Sequence, residues 1–154
     1  MVYCIDTSAL LDGWVRHYPP DIFPSLWENL RSMIDSSELI SPEEVLVELS
    51  KKDDLVYQWA KENQAMFVPL DDETQKATSD ILTAFQRLVG QLRDRNSADP
   101  FVIAVAMIQD AVVVTSERPS GSHNRPKIPD VCEHYGIRCI NLLDFIREQG
   151  WQFR

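Results

Sequence analysis

Ser97-Ala98-Asp99-Pro100-Phe101-Val102-Ile103-Ala104-Val105-Ala106-Met107-Ile108-Gln109 is followed at once by Asp110 and then Ala111-Val112-Val113-Val114-Thr115-Ser116-Glu117. The first stretch opens on Asp-Pro, which favours a first helical turn. It then runs apolar at nearly every position, so it predicts a helix buried on most sides. The second is the clearest strand of the chain, a β-branched run without polar alternation.

Outward from this pair the same grammar repeats. Val2 to Ile5 is apolar throughout, as expected of a strand covered on both faces, and ends at Asp6-Thr7-Ser8. Those three are good caps for a helix through Ala9, Leu10, Leu11 and Trp14. Ile22, Phe23, Leu26, Leu30, Met33 and Ile34 fall at helical spacings. Glu38 to Ser41 reads as a short strand. Ser41-Pro42-Glu43-Glu44 reads as a capping box with Pro at the first helical position, opening a helix that ends near Lys51-Lys52. Asp53-Asp54 opens another. Phe67 to Leu70 predicts an edge strand, because Pro69 cannot donate to a central ladder.

Asp71 to Arg95 predicts the longest helix, with Gly90 marking a bend or break. Residues 116 to 129 read as a loop, followed by a helix over Pro129 to Tyr135, a strand over Arg138 to Asn141 and a last helix through Leu142, Leu143, Phe145 and Ile146. Strands alternating with helices, with continuous apolar runs, imply an α/β sandwich around a parallel sheet. No internal repeat is visible, and 154 residues suit a single domain over 1–154 with one core.

The totals exclude several classes. Cys4, Cys132 and Cys139 are odd in number and form no Cys-x-x-Cys pair, so reduced buried thiols are expected in place of a disulfide framework or thiolate zinc site. The N-terminus lacks a basic n-region and its apolar run breaks at Asp6, which argues against a signal peptide. Nothing approaches the roughly 20 apolar residues of a membrane span, so no membrane association and a cytoplasmic address are expected. Fifteen basic against 24 acidic residues give a net charge of -9, the wrong sign for coating nucleic acid in bulk. Any such binding has to be local.

Four acids draw attention because each sits at the edge of an apolar segment: Asp6, Glu48, Asp99 and Glu117. Asp6 and Glu117 lie at the carboxyl ends of predicted strands, where sheets of this class bind ligands. A plain N-cap is the alternative for Asp6, a duty Thr7 or Ser8 could also perform. Glu48 shares a helix face with Glu44; Glu44 is occupied by the expected capping box, so Glu48 is the preferred ligand and Glu44 the alternative. Asp99 could cap its helix, yet that helix is so apolar that its start should be embedded. Glu117, taken alone, could be a solvated loop residue. Gathered together, four carboxylates would repel one another by several kcal/mol at separations of about 4–6 Å unless a cation neutralises them. No cysteine or histidine set has zinc spacing, so a hard ion such as magnesium or manganese fits best.

In order and spacing, Ile-Asp-Thr-Ser-Ala-Leu, Val-Leu-Val-Glu-Leu, Ala-Asp-Pro-Phe-Val-Ile-Ala-Val-Ala and Val-Val-Thr-Ser-Glu resemble the motifs of PIN-domain nucleases over nearly the whole chain. The resemblance implies a PIN-like three-layer α/β/α sandwich with a parallel sheet of about five strands, and cleavage of single-stranded RNA dependent on Mg2+ or Mn2+. It implies Asp6, Glu48, Asp99 and Glu117 as the catalytic and metal-binding tetrad, with Thr7, Ser8 and Thr115 as polar support. Small members of the family are often ribonuclease toxins of toxin-antitoxin pairs, which implies an antitoxin partner, and they often form a homodimer. The chain departs from the pattern at Glu117, where the family usually carries aspartate. That leaves direct and water-mediated metal contact both open.

Two basic clusters flank these acids: Arg87, Arg93 and Arg95, and Arg118, His123, Arg125 and Lys127. They are candidates to guide RNA, Arg125 and Lys127 foremost, and ordinary solvated residues otherwise. Trp14, Trp27, Trp59 and Trp151 fit core positions without a base-stacking role. A phosphatase of the haloacid dehalogenase type also starts from a strand-end Asp, but wants a second Asp where this chain has Ser8. A catalytically silent binding or scaffold module is the remaining alternative, encouraged only by Glu117.

Overall fold

The strand Val2–Ile5 (β1) has a neighbour on each side, and those neighbours set the architecture. In the computed structural model, which describes residues 1–86, 97–122 and 124–154, five strands form a sheet in the order β3-β2-β1-β4-β5. Here β2 is Leu39–Pro42, β3 Phe67–Val68, β4 Ala111–Val114 and β5 Cys139–Ile140. Every pairing is parallel. Val2 pairs with Ala111 and Ile5 with Val114, so β1 and β4 end level with each other.

Eight α-helices are present among the described residues: α1 Thr7–Asp12, α2 Pro24–Asp35, α3 Glu43–Lys52, α4 Asp54–Glu62, α5 Asp72–Ala84, α6 Asp99–Gln109, α7 Ile128–Tyr135 and α8 Leu142–Gln149. The pleat of β1 shows how they divide between the faces of the sheet. Cys4 points to one face, its Sγ 3.7 Å from the Val102 carbonyl of α6. Tyr3 points to the other, its ring 4.8 Å edge-on from Phe145 of α8 and its hydroxyl donating to Glu148 at 3.1 Å. Helices α5 and α7 pack beside α6, whereas α2 shares the α8 side, since the backbone of Gly13 lies against both Trp27 and Leu142. The expected three-layer α/β/α sandwich with a parallel sheet is the one found.

The core follows the apolar runs. All of β4 is buried, and so is α6 from Val102 to Ala106, as its all-round apolar sequence requires. Trp27 packs edge-on against Trp14 at 4.8 Å and Trp59 at 5.0 Å, filling the space between α2, α4 and the turn that follows α1. Cys4 and Cys132 are buried thiols, and none of the three cysteines is in a disulfide. Among the described residues, no helix is long and apolar enough to cross a membrane.

Helix α1 passes directly into a π-helical turn over Gly13–His17, closed by the Tyr18 amide donating to the Gly13 carbonyl at 2.7 Å. A Cβ on Gly13 would stand 2.8 Å from Leu142 Cδ2, so the glycine lets α8 approach this turn.

Three sequence expectations change. Ser41 does not open a capping box: it lies inside β2 and its hydroxyl donates to the Ile5 carbonyl at 2.7 Å, a long-range bond that removes it from the helix start, while Pro42 takes the cap position. The helix expected over Asp71 to Arg95 ends at Ala84, where Phe85 turns out of helical geometry into a buried position. The remainder of that expected helix, Gly90 included, lies outside the described residues over 87–95. The strand before Pro69 stops at Val68, and it is an edge strand as Pro69 requires.

Candidate active site

The sheet order reverses around β1. The connection from β1 to β2 passes through α2 on one face and the connection from β3 to β4 through α6 on the other, which opens a crevice beyond the carboxyl ends of β1 and β4. Asp6 follows β1, and Thr115, Ser116 and Glu117 follow β4.

Asp6 is 2% exposed and caps α1, its Oδ1 accepting from the Ala9 amide at 2.8 Å. The plain reading is therefore realised, and by Asp6 itself rather than Thr7 or Ser8. Two hydroxyls also converge on it. Thr115 Oγ1 donates to Oδ2 at 2.5 Å, and Ser8 Oγ lies 2.9 and 2.8 Å from the two carboxylate oxygens. Each hydroxyl has one proton to give and lone pairs to spare. Ser8 accepts from the Ser116 amide at 3.0 Å and Thr115 from the Glu117 amide at 3.1 Å, so the backbone after β4 is tied to Asp6 through both. Burial pushes the Asp6 carboxyl up to about 7 against these bonds, and Glu117 adds to the rise.

Asp99 is the first residue of α6, but the cap position belongs to Ala98, whose side chain cannot serve. Glu48, on α3, supplies the acceptor: its Oε2 takes the Ala98 amide at 3.0 Å, while Oε1 lies 3.9 Å from Lys52 Nζ. Asp99 is thus relieved of capping duty. Its carboxyl is pushed up to about 8, first by burial and then by the negative charges of Glu117, Asp6 and Glu48, with a Ser97 hydrogen bond opposing. One group feels all three of the other acids.

Glu117 is drawn inward rather than solvated. Burial raises its carboxyl, while the Lys127 ammonium and the Ile128 amide pull the other way and Glu48 adds a further rise. Its Oε2 is buried without a hydrogen-bond partner among the described residues. Glu44 stands apart: burial raises it too, but the charge acting on it is that of Glu43.

Other expected residues are placed less centrally. Thr7 is buried and its hydroxyl has no partner among the described residues, so it does not join the Ser8–Thr115 network. Arg118, Arg125 and Lys127 are exposed on the loop after β4. Arg87, Arg93, Arg95 and His123 lie outside the described residues. That loop is gathered by Asp130, which sequence reading did not single out. Its carboxylate accepts from the Ser120 amide and hydroxyl at 2.9 and 3.0 Å, the Gly121 amide at 3.0 Å and the Lys127 amide at 2.8 Å. The sequence signal was available, since Asp130 is three residues after the helix cap, where such a side chain reaches back. Asp130→Ala is expected to cost about 1–2 kcal/mol and lower the melting temperature by a few degrees, as differential scanning fluorimetry would read.

The donor set is carboxylate oxygen throughout, which suits a hard divalent cation, and the unpartnered Glu117 oxygen and the repulsion felt by Asp99 are what a cation would relieve. Among the described residues, however, no three Asp, Glu, His or Cys side chains are arranged as a metal-binding group. Asp6 accepts from two hydroxyls and an amide, and Glu48 from the Ala98 amide, and each keeps acceptor capacity beyond those bonds. A cation would have to draw them inward.

The fold is of the PIN-like α/β/α class. The crystal structure of VapBC2 from Rickettsia felis bound to a DNA fragment from their promoter matches it with a TM-score of 0.57, over 92% of this chain and 98% of that chain, at 15% identity. Over residues 3–153 the sequence matches the model of a domain of unknown function, DUF4411, and the chain belongs to that family. No curated protein matches it.

Proposed function

We propose that this protein is a metal-dependent endoribonuclease that hydrolyses phosphodiester bonds of RNA, acting in the cytoplasm as the toxin of a toxin-antitoxin pair. One observation carries the chemistry: Asp99 is buried at the start of α6, and besides that burial the charges of three other carboxylates from separate parts of the chain raise it. Carboxylates so grouped at a sheet's switch point, in a chain without a zinc-type ligand cluster, are suited to a hard cation. The toxin role and an antitoxin partner draw support from the motif resemblance and from the likeness in fold to VapBC2.

Asp6, Glu48, Asp99 and Glu117 would hold Mg2+ or Mn2+, which when bound supplies charge for the scissile phosphate and acidifies an attacking water. The chain's own residues do the positioning. Ser8 and Thr115 hold Asp6 in one orientation, and Thr115 also fixes the amide of Glu117. Lys127 offsets the charge of Glu117. Arg125 and Lys127 give an otherwise acidic surface a local cationic approach for phosphates, and neutralising both is expected to weaken RNA binding and flatten its salt dependence.

A catalytically silent binding module is favoured by one fact, the lack of a ready-made coordination group among the described residues. Titration of the purified protein with Mn2+, followed by melting and by incubation with structured RNA, separates the two readings. The nuclease should be stabilised by mass action, by about 2.7 kcal/mol at a hundred times the dissociation constant, and should cleave. A melting curve indifferent to Mn2+, with the RNA left intact, would sink the nuclease reading.

A further inference from the structure

Of the four acids Glu117 lines a groove of about 650 Å³, which runs from Thr115 and Glu117 across the ends of β4 and β5 to the start of α8. Its far wall is the π-helical turn, which delivers His17 and Tyr18 into the same groove. Such turns often occur at functional sites, because the extra residue re-aims the side chains that follow.

Tyr18 is held firmly there. Its amide and carbonyl are both engaged, to Gly13 at 2.7 Å and from the Trp27 indole at 2.8 Å, and its ring stands edge-on to Phe23 with centroids 5.5 Å apart. It remains partly exposed, beside the exposed His17. Leu143, 44% exposed, adds an apolar surface to the groove, and Arg118 stands exposed next to Glu117. The rim carboxylates Asp12 and Asp144 have basic partners, Arg16 at 3.9 Å and Arg147 at 3.2 Å. A pre-fixed aromatic ring, an apolar surface and a cation in one channel are the components by which proteins hold single strands.

We infer that this groove holds the single-stranded RNA next to the bond to be cut, with a base against Tyr18 and His17 and a phosphate at Arg118. The inference rests on the nuclease reading and its single-stranded substrate, and adds to it the residues that grip the strand. A duplex keeps its bases stacked inside and cannot present one to Tyr18.

The test measures anisotropy of a labelled single-stranded RNA oligonucleotide with magnesium, in the Asp99→Asn background so that the strand stays intact. Tyr18→Ala and Arg118→Gln should each weaken binding about tenfold, with Tyr18→Phe binding like the parent. In the cleavage-competent protein, Tyr18→Ala should raise KM far more than it lowers kcat. If Tyr18→Ala fails to fold, photo-crosslinking of a 5-iodouridine strand to the unaltered protein decides, with adducts expected at Tyr18 or His17. Unchanged affinity in both variants, adducts confined to residues outside the groove, or no binding by the parent would each overturn the groove assignment. Binding that depends on Tyr18 and Arg118 in a protein that never cleaves would instead overturn the nuclease reading alone.

Discussion

Asp99→Asn is expected to abolish metal-dependent RNA cleavage and, at the same time, to raise the melting temperature of the metal-free protein at pH 8. The two outcomes have one origin. Asparagine keeps the shape of the side chain at the start of α6 but removes a charge that Glu117, Asp6 and Glu48 all oppose. Without metal that charge is a liability, so its loss stabilises. With metal it would be a ligand, and its loss should exceed the roughly hundredfold effect that even an outer-shell partner can have. Asp6→Asn should also stop cleavage, with a smaller gain in stability. Its new amide nitrogen faces Thr115 and Ser8, which now donate to the carboxylate and would have to reverse. Full activity in both variants, or a fall in melting temperature for Asp99→Asn, would refute the assignment.

The second large effect is on pH. Folded Asp6 titrates near 7 and folded Asp99 near 8, both well above the ordinary carboxylate value of 3.8. Between those limits the folded chain keeps protons that the unfolded chain releases, so stability falls as pH rises. The contribution is fully present below about pH 4 and is lost through pH 7 and 8. Asp71 and Asp130, lowered on folding, act in the opposite sense, and only below about pH 4. Urea midpoints in EDTA should therefore decline from pH 5 to pH 8, against the usual trend for acidic groups. Saturating Mn2+ should flatten or reverse the decline, because it stabilises the ionised carboxylates. A midpoint that rises over this range in EDTA would mean that the acids are not grouped.

Much of this was legible from residues alone. The apolar run of α6 and the β-branched run of β4 announced a helix and strand buried together, and the polar residues ending β1 and β4 marked the crevice. What escaped were interactions between distant parts of the chain. Ser41 looked like a capping residue because Glu44 follows it at the right interval, but the Ile5 carbonyl outbids the helix for its hydroxyl. The helix after Asp71 looked continuous because its apolar spacing is, yet Phe85 is buried outside it. The pairing of Ser8 with Thr115 spans 107 residues, and no local pattern encodes it. The turn at Gly13–His17 was likewise invisible, since a π turn has no periodic signature of its own.

The bond from the Ala98 amide to Glu48 gives the crevice an internal counter-charge. The first turn of α6 presents partly positive amides, a fraction of an elementary charge, toward the acids that crowd it. The helix start thus offsets part of the negative charge gathered there. A cation bound by Glu48 would share that carboxylate with the Ala98 amide, so the protein's own backbone would be a standing partner of the ligand.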